Sequence, residues 1–233
     1  MADYSELALE PYPVSAADVD TRARFITRTY GHLAGAVAAF TALEVFFFKT
    51  GAAETIARTM LGLPWLLVLG GVMLVSWLAT SAAHRAVSPI AQYAALAAYV
   101  AVQAFIFVPL LFIANQAAPG VIASAAGVTA LGFAGLTAVA ILSRKDFSFL
   151  GALLRWSAVG ALVAIVAGVV FGFQLGTWFS VGMILFAGAA ILFDTSNVLR
   201  SYPQDRYVAA ALQLFASVML LFWYVIRLFL SRK

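Results

Sequence analysis

Long stretches without any charged side chain are the feature that most limits what this chain can fold into. Four runs contain no Asp, Glu, Lys or Arg, and they cover residues 59–84, 86–143, 156–193 and 207–226. Since a helix needs about 20 apolar residues to cross the hydrocarbon core of a bilayer, each run is long enough for at least one crossing. Only 10% of the 233 residues are charged, against about 25% in an ordinary soluble domain. We therefore interpret the chain as an integral membrane protein that lies in a lipid bilayer.

The apolar runs predict an all-α membrane protein. In hydrocarbon the backbone must satisfy its own hydrogen bonds, which leaves helices or closed barrels. Barrel strands alternate polar and apolar residues, whereas these runs are apolar on all sides. Turn signals at 115–120 and 172–176 divide the two longest runs. Seven transmembrane helices are therefore predicted, at 29–48, 62–83, 90–113, 119–142, 152–172, 177–199 and 207–229.

The same pattern predicts the domain organisation. Residues 1–28 are polar and contain two prolines, so we expect a disordered tail or a segment that lies on the membrane surface. Residues 29–233 form a single seven-helix membrane domain. The first apolar run is as long as a full span, which favours an uncleaved first helix over a signal peptide.

The basic residues predict the orientation, because cytoplasmic loops carry an excess of Lys and Arg. The side that holds the N-terminus has nine of the 14 basic residues, namely Arg22, Arg24, Arg28, Arg85, Arg144, Lys145, Arg155, Arg200 and Arg206. The N-terminus is therefore expected to be cytoplasmic. Seven full spans would place the basic C-terminal end outside, whereas a re-entrant last segment would return it to the cytoplasm.

Several function classes lack any signature in the sequence. Without cysteine the chain has no disulfide, thiolate metal site or cysteine nucleophile. His32 and His84 are too far apart to indicate a metal cluster, and neither a Walker loop nor a dinucleotide fingerprint is present. The excess basic residues are topology signals rather than a nucleic-acid footprint. We therefore expect neither an enzyme nor a nucleic-acid partner.

Asp194 is an acid inside an apolar helix. It lies six residues before Arg200, which places it about 9 Å from the predicted helix end. A carboxylate at that depth needs a partner in the bundle interior, and intramembrane acids usually belong to functional sites. We interpret Asp194 as a proton sensor or a cation ligand. The alternative is a structural acid near a helix end that pairs with Arg200 or Arg206.

Three further polar residues lie in predicted spans. Gln213 and Ser217 are four residues apart in the last span, so they share one helix face. This face either meets the Asp194 region or supplies ordinary interhelical hydrogen bonds. Glu44 precedes Lys49 by five residues, and we expect it near the outer interface, where its side chain can snorkel to water.

Four segments resemble the Bax inhibitor-1 family of membrane proteins. Residues 28–34 (RTYGHLA) resemble the start of the family's first helix, and 144–151 (RKDFSFLG) resemble the loop before its fifth. Residues 191–198 (ILFDTSNV) are similar to its sixth-helix motif, in which an aspartate follows an aromatic. Residues 210–217 (AALQLFAS) follow its seventh helix. The resemblance extends from about residue 24 to 233.

The resemblance implies a last helix that is wrapped by the other six. It also implies a pH-sensitive calcium leak channel with Asp194 as the titrating residue, no resident cofactor, and calcium as the permeant ion. Arg85 would be the family's basic partner near the second helix. The alternative that the family implies is a non-conducting regulator, which binds and modulates a membrane protease or another membrane partner. An alanine-rich composition and the lack of an organelle signal favour a bacterial inner membrane.

The chain departs from the family pattern in the last helix. Where the family has a second aspartate, this sequence has Ser217. Two close carboxylates share a proton and titrate as a coupled pair, whereas a lone Asp194 with a serine is expected to titrate simply. It also offers less negative charge to calcium, which prefers several oxygen ligands.

Overall fold

The computed structural model describes residues 13–64, 67, 70–71, 73–75, 77–78, 81, 88–117, 119–143 and 145–231. Within these residues every named element is helical. A short 3-10 helix at Val14–Ala16 precedes the α-helices α1 (Val19–Thr50), α2 (Ala52–Leu61), α3 (Pro89–Ala117), α4 (Val121–Ser143), α5 (Leu150–Phe171), α6 (Gly176–Arg200) and α7 (Tyr207–Leu230).

Six described helices, all except α2, are long and apolar enough to cross a membrane. They match six of the seven predicted spans, which confirms an all-helical membrane protein. The remaining predicted span, 62–83, falls largely on residues outside the described part of the chain. Its described residues between Leu67 and Ser81 are helical, and the seventh span stays a prediction.

The first helix begins well before its predicted start at residue 29. The Asp18 carboxylate accepts a hydrogen bond of 2.6 Å from the backbone N–H of Thr21, which caps the first turn of α1. Phe25, in the next turn, is buried against the bundle. The 32 residues of α1 measure about 48 Å, so its charged first turns extend beyond a hydrocarbon core of about 30 Å. The predicted polar tail is therefore helical from Val19 onward, and residues 1–12 lie outside the described chain.

The connections follow from local chemistry. Gly51 ends α1 with φ of 79°, and Gly172 ends α5 with φ of 73°. Glycine adopts this left-handed conformation without the steric cost of a Cβ. The turn predicted at 172–176 is thereby confirmed. The short helix α2 was not predicted, and an ion pair of 2.5 Å between Arg58 and Glu54 spans one of its turns.

The last helix, α7, is the most buried of the six candidate spans. In its most apolar window 78% of the residues are buried, and α7 packs against α1, α3, α4 and α6. Phe215, fully buried, meets the rings of Phe40 and Tyr99 edge-on. Because helices in lipid associate through close packing, these aromatic contacts hold α7 in place. The helix is continuous over 24 residues, which favours a full crossing over a re-entrant segment.

Helix α5 is the least buried span, with only 6% of its window covered. Among the described residues it packs mainly on α6. The approach is close at Gly151, where an added Cβ would lie 2.8 Å from the Phe193 ring. Within the described part of the chain, residues of α3 and α5 line a space that lies between the two helices.

We predict that Phe215→Ala lowers the free energy of unfolding by roughly 3 kcal/mol, since it leaves a cavity between three helices. Thermal unfolding in detergent, followed by circular dichroism, measures the change. Phe171→Ala is the matched control, because Phe171 is 78% exposed to the surroundings and its loss leaves no cavity. Equal destabilisation by both substitutions would contradict the packing role of Phe215.

Candidate functional site

Asp194 is buried where α6 faces α7, with 3% of its surface exposed. Ile191 and Val198, which lie about one helical turn before and after Asp194 in α6, are fully buried apolar residues. A carboxylate in such surroundings is costly unless donors satisfy it. The local sequence therefore sets the chemical requirement, and α7 supplies the groups that meet it.

Two side chains of α7 donate hydrogen bonds to this carboxylate. The Ser217 hydroxyl donates to Oδ2 of Asp194 at 2.5 Å, and Gln213 Nε2 donates to Oδ1 at 3.3 Å. Their spacing of four residues places both donors on the face of α7 that meets α6. Of the two interpretations left open for the polar face of the last span, the structure shows the one in which it meets Asp194.

Asp194 also lies between two cavities. The larger, of about 1760 Å³, runs between α3, α5, α6 and α7 and is called here the interhelical cleft. The smaller, of about 420 Å³, lies at the C-terminal end of α6 and is called the end cavity. Asp194 and Gln213 line both, so the carboxylate stands where the cleft and the end cavity meet.

The turn between α6 and α7 encloses the end cavity. Tyr202 in this turn lines the cavity. Burial raises the pKa of the Tyr202 phenol, and the negative charge of Asp194 raises it further. The backbone N–H of Val14 donates to the Tyr202 carbonyl at 2.9 Å, and the Val14 side chain is fully buried. The segment before α1 is therefore hydrogen-bonded to, and packed against, the turn beside Asp194.

The loop between α4 and α5 is hydrogen-bonded to α6 two residues after Asp194. The backbone N–H of Phe147 donates to Oγ of Ser196 at 3.2 Å. The backbone N–H of Ser148 donates to Oδ1 of Asp146 at 2.8 Å. The backbone and side-chain hydrogen bonds from Ser148, with a smaller contribution from Arg200, lower the pKa of the Asp146 carboxyl. Asp146 is therefore an exposed, ionised group near the C-terminal end of α6.

Two of the predicted basic residues interact with acids other than Asp194. Arg85 lies outside the described residues. Arg200, in the last turn of α6, acts electrostatically on Asp146, and Arg206 forms an ion pair of 3.4 Å with Asp205. The Asp194 partners that the structure identifies are the neutral donors of α7.

Glu44 does not lie where it was expected. It is buried within the bundle, with 6% of its surface exposed, and neither carboxyl oxygen has a hydrogen-bond partner among the described residues. The prediction of a side chain that snorkels to water is wrong, because Glu44 occupies the face of α1 that also buries Phe40 and Phe47.

The site offers one carboxylate, one hydroxyl and one amide. Such a group can hold a proton, or contribute a single charged ligand to a passing cation. Within the described residues no three His, Asp or Glu side chains gather to hold a metal ion. Calcium takes six to eight oxygen ligands, so this set is not a closed calcium cage.

Sequence reasoning missed two contributors to this region. Tyr202 follows the helix end in a turn, and its burial depends on the fold of the N-terminal segment over it. Val14 lies in a stretch that reads as a polar tail. The apolar side chain of Val14, isolated among prolines and polar residues, was a local sign that this position is buried. The residue that accepts its backbone hydrogen bond, Tyr202, is 188 positions away, so the sequence did not identify the contact.

We predict that Ser217→Ala lowers the free energy of unfolding by about 1 kcal/mol, the scale of an interhelical hydrogen bond in a membrane protein. The substitution removes the shorter of the two hydrogen bonds to Asp194 and leaves Oδ2 without this donor. Thermal unfolding in detergent measures the loss.

Ser231→Ala is the matched control for this hydrogen bond. The Ser231 hydroxyl also donates, but to the carbonyl of Leu228 in its own helix and at an exposed position. Its removal should change stability by less than half as much as Ser217→Ala. A Ser217→Ala protein as stable as the wild type would show that this bond does not hold α6 against α7.

Comparison with known proteins finds bacterial membrane proteins. An Escherichia coli protein named modulator of FtsH protease is 37% identical over 99 residues, which cover 42% of this chain and 45% of the relative. An uncharacterised membrane protein of Vibrio cholerae is 35% identical over 106 residues, 45% of this chain and 47% of the relative. An uncharacterised Pseudomonas aeruginosa protein is 35% identical over 112 residues, 47% and 49% of the two chains. The chain spans about half the length of the curated relatives it matches.

The family comparison covers far more of the chain. The model described as "Inhibitor of apoptosis-promoting Bax1" matches residues 22–233, which include the Asp194 site and all six candidate spans except the first three residues of α1. The resemblance noted in the four sequence segments is thereby confirmed over the whole membrane domain. The chain belongs to the Bax inhibitor-1 family of integral membrane proteins.

Proposed function

We propose that this protein is a non-conducting regulator that binds a membrane protease, or another membrane protein, and modulates it. The observation that carries the proposal is the similarity to the Escherichia coli modulator of FtsH protease. The partner would be an integral membrane protein, because six helices of the described chain are long and apolar enough to cross a membrane.

The chemistry of the site supports this function over ion conduction. The carboxylate of Asp194 is held by Ser217 and Gln213 within the bundle. A single buried acid with two neutral donors has a structural role in joining α6 to α7. A regulator needs a stable, correctly shaped bundle, and it does not need a second acid at position 217.

The test is a reconstituted degradation assay. An FtsH-type protease degrades a membrane substrate in proteoliposomes with and without this protein. We expect degradation to slow by about half when the regulator concentration equals its Kd for the protease, since half of the protease is then occupied. Co-purification of the two proteins from detergent measures binding directly.

Asp194→Asn separates regulation from titration in the same assay. Asparagine keeps the size of the side chain and its carbonyl acceptor, so the bundle and the inhibition should persist. Unchanged degradation at saturating wild-type protein, together with no co-purification, would refute the proposed regulator.

A second candidate function is a pH-sensitive cation leak, with calcium as the permeant ion and Asp194 as the titrating group. One observation favours it: Asp194 lines both the interhelical cleft and the end cavity. These spaces would form the two halves of a path, and the carboxylate would stand at the point where a cation passes from one to the other.

Calcium flux into proteoliposomes between about pH 6 and 8 tests this candidate. If Asp194 titrates along the path, Asp194→Asn abolishes the pH dependence. Ser217→Asp, which restores a pair of acids, should increase both flux and pH dependence. Asp20→Asn, at an exposed position on α1, is the control and should leave the flux unchanged. Absence of flux in the wild type and in Ser217→Asp would eliminate the leak.

The proposal includes a specific placement in the membrane. We infer that α7 is the central helix of the bundle and that residues 62–83 supply a seventh span. The high burial of α7 supports the first point. The N-terminus would lie in the cytoplasm of a bacterial cell, with the protein in the inner membrane, and no catalytic step is required.

A further inference from the structure

The interhelical cleft is larger than the Asp194 site requires. Its volume of about 1760 Å³ exceeds the 300–1,000 Å³ of an ordinary small-molecule pocket. It extends from Arg155 and Asn197 near the start of α5 to Arg227 and Ser231 at the end of α7. Since α5 runs from one membrane face to the other, the cleft has the height of the bilayer.

The walls of the cleft are mainly apolar along this height. Side chains of α3, α5 and α7 contribute Phe107, Leu110, Leu154, Ile165 and Leu220. Among the described residues, α5 packs mainly on α6, and the side of the cleft between α5 and α3 is open. An open apolar cleft of this height in a bilayer is accessible to acyl chains.

The end of the cleft near the start of α5 is basic. Arg155 lines the cleft there, together with the polar residues Ser148 and Asn197. Lys145 in the adjoining loop is exposed, and Arg200 lies close enough to act on Asp146. Basic pockets between transmembrane helices bind the headgroups of anionic lipids.

Two acids lie near this end, and neither cancels its charge. Asp146 is opposed by Arg200. Asp194 is 3% exposed and its two oxygens accept from Ser217 and Gln213. Among the described residues, the three cations Lys145, Arg155 and Arg200 outnumber these two acids, so this end of the cleft has a net positive charge.

The opposite end of the cleft is a weaker anion site. Its cation, Arg227, lies over the Tyr224 ring with the guanidinium carbon 5.8 Å from the ring centre. This contact engages the guanidinium group through the face of the ring. Charge complementarity therefore selects the Arg155 end for a phosphate group.

We propose that the interhelical cleft binds one anionic diacyl phospholipid, with its phosphate at Arg155 and its acyl chains along the apolar walls between α3 and α5. Arg155 is exposed, and its Nε donates to the Gly151 carbonyl at 3.2 Å, which leaves the terminal nitrogens of the guanidinium group to meet a phosphate. The inference does not rest on the proposed regulatory function.

Native mass spectrometry of the delipidated full-length protein tests the proposal. Dioleoylphosphatidylglycerol and dioleoylphosphatidylcholine are added separately, and the affinity for the first bound lipid is compared. The wild type should prefer the anionic lipid. Arg155→Gln should weaken its binding about fivefold, the effect of one basic residue near a membrane surface, while Arg155→Lys should retain most of it.

Arg24→Gln is the matched control. Arg24 is exposed, lies outside the cleft, and its Nε donates to the Asp20 carbonyl of its own helix at 3.3 Å. The substitution Arg24→Gln therefore removes the same charge from an exposed arginine with the same kind of backbone hydrogen bond. The affinity for the anionic lipid should stay within twofold of the wild type. Ala158→Trp, which fills the cleft, should abolish tight binding of either lipid while the protein stays folded by circular dichroism.

Three results would overturn the proposal. Equal affinity of wild type and Arg155→Gln for phosphatidylglycerol would exclude Arg155 as the headgroup site. Equal weakening by Arg24→Gln would show only general electrostatic attraction. Displacement of the lipid by millimolar inorganic phosphate would show an anion site that does not depend on acyl chains.

Discussion

The burial of one carboxylate constrains how the two helices around it are arranged. Asp194 lies in an apolar stretch of α6, and hydrocarbon offers it no water. The hydrogen bonds from Ser217 and Gln213 satisfy it only if one face of α7 is turned toward α6. This requirement sets the rotation of both helices about their axes. It also positions the turn between them, where the Tyr202 carbonyl accepts from Val14, and the last turns of α6, where Ser196 accepts from the α4–α5 loop.

The bundle is unevenly packed around this contact. On one side α7 packs against α1, α3 and α4, and aromatic rings such as Phe215 and Phe40 meet at its contact with α1. On the other side α5 lies mainly on α6 and leaves a cleft beside α3. A soluble protein could not keep such a cleft apolar and open, because water would favour its collapse. In a bilayer the same space is compatible with stability, since acyl chains can fill it.

The family membership and the site chemistry together define what distinguishes this chain. A second acid at position 217 would create a pair that shares a proton. Ser217 instead donates a hydrogen bond. Among the described residues, Asp194 is therefore hydrogen-bonded by neutral groups and is the acid of this contact. Compared with such a pair, the contact between Asp194 and Ser217 offers less negative charge to a hard cation. The chemistry of this contact therefore supports the proposed regulator over the proposed cation leak.

Much of the fold could be predicted because hydrocarbon imposes simple rules on the sequence. The charge-free runs determined that the chain is helical and spans a membrane, and the glycine-containing turns located the breaks between spans. The depth of Asp194 in its helix and the spacing of Gln213 and Ser217 predicted a polar face on each of two helices, and left open whether the two faces meet. These features depend on local composition and helical periodicity, so no tertiary contact is needed to recognise them.

Other features depended on contacts between distant residues. Glu44 was expected at the outer membrane interface. It is buried instead, because it lies on the face of α1 whose aromatic residues pack into the bundle. The extension of α1 to Val19 depends on Phe25 finding a place in the bundle, and the burial of Val14 depends on the Tyr202 carbonyl. The cleft beside α5 is likewise invisible in the sequence. The sequence alone determined the helices and their polar faces, because lipid acts on each segment separately. Only the tertiary structure decided which faces meet and which space stays open, because that depends on how side chains from several helices pack together.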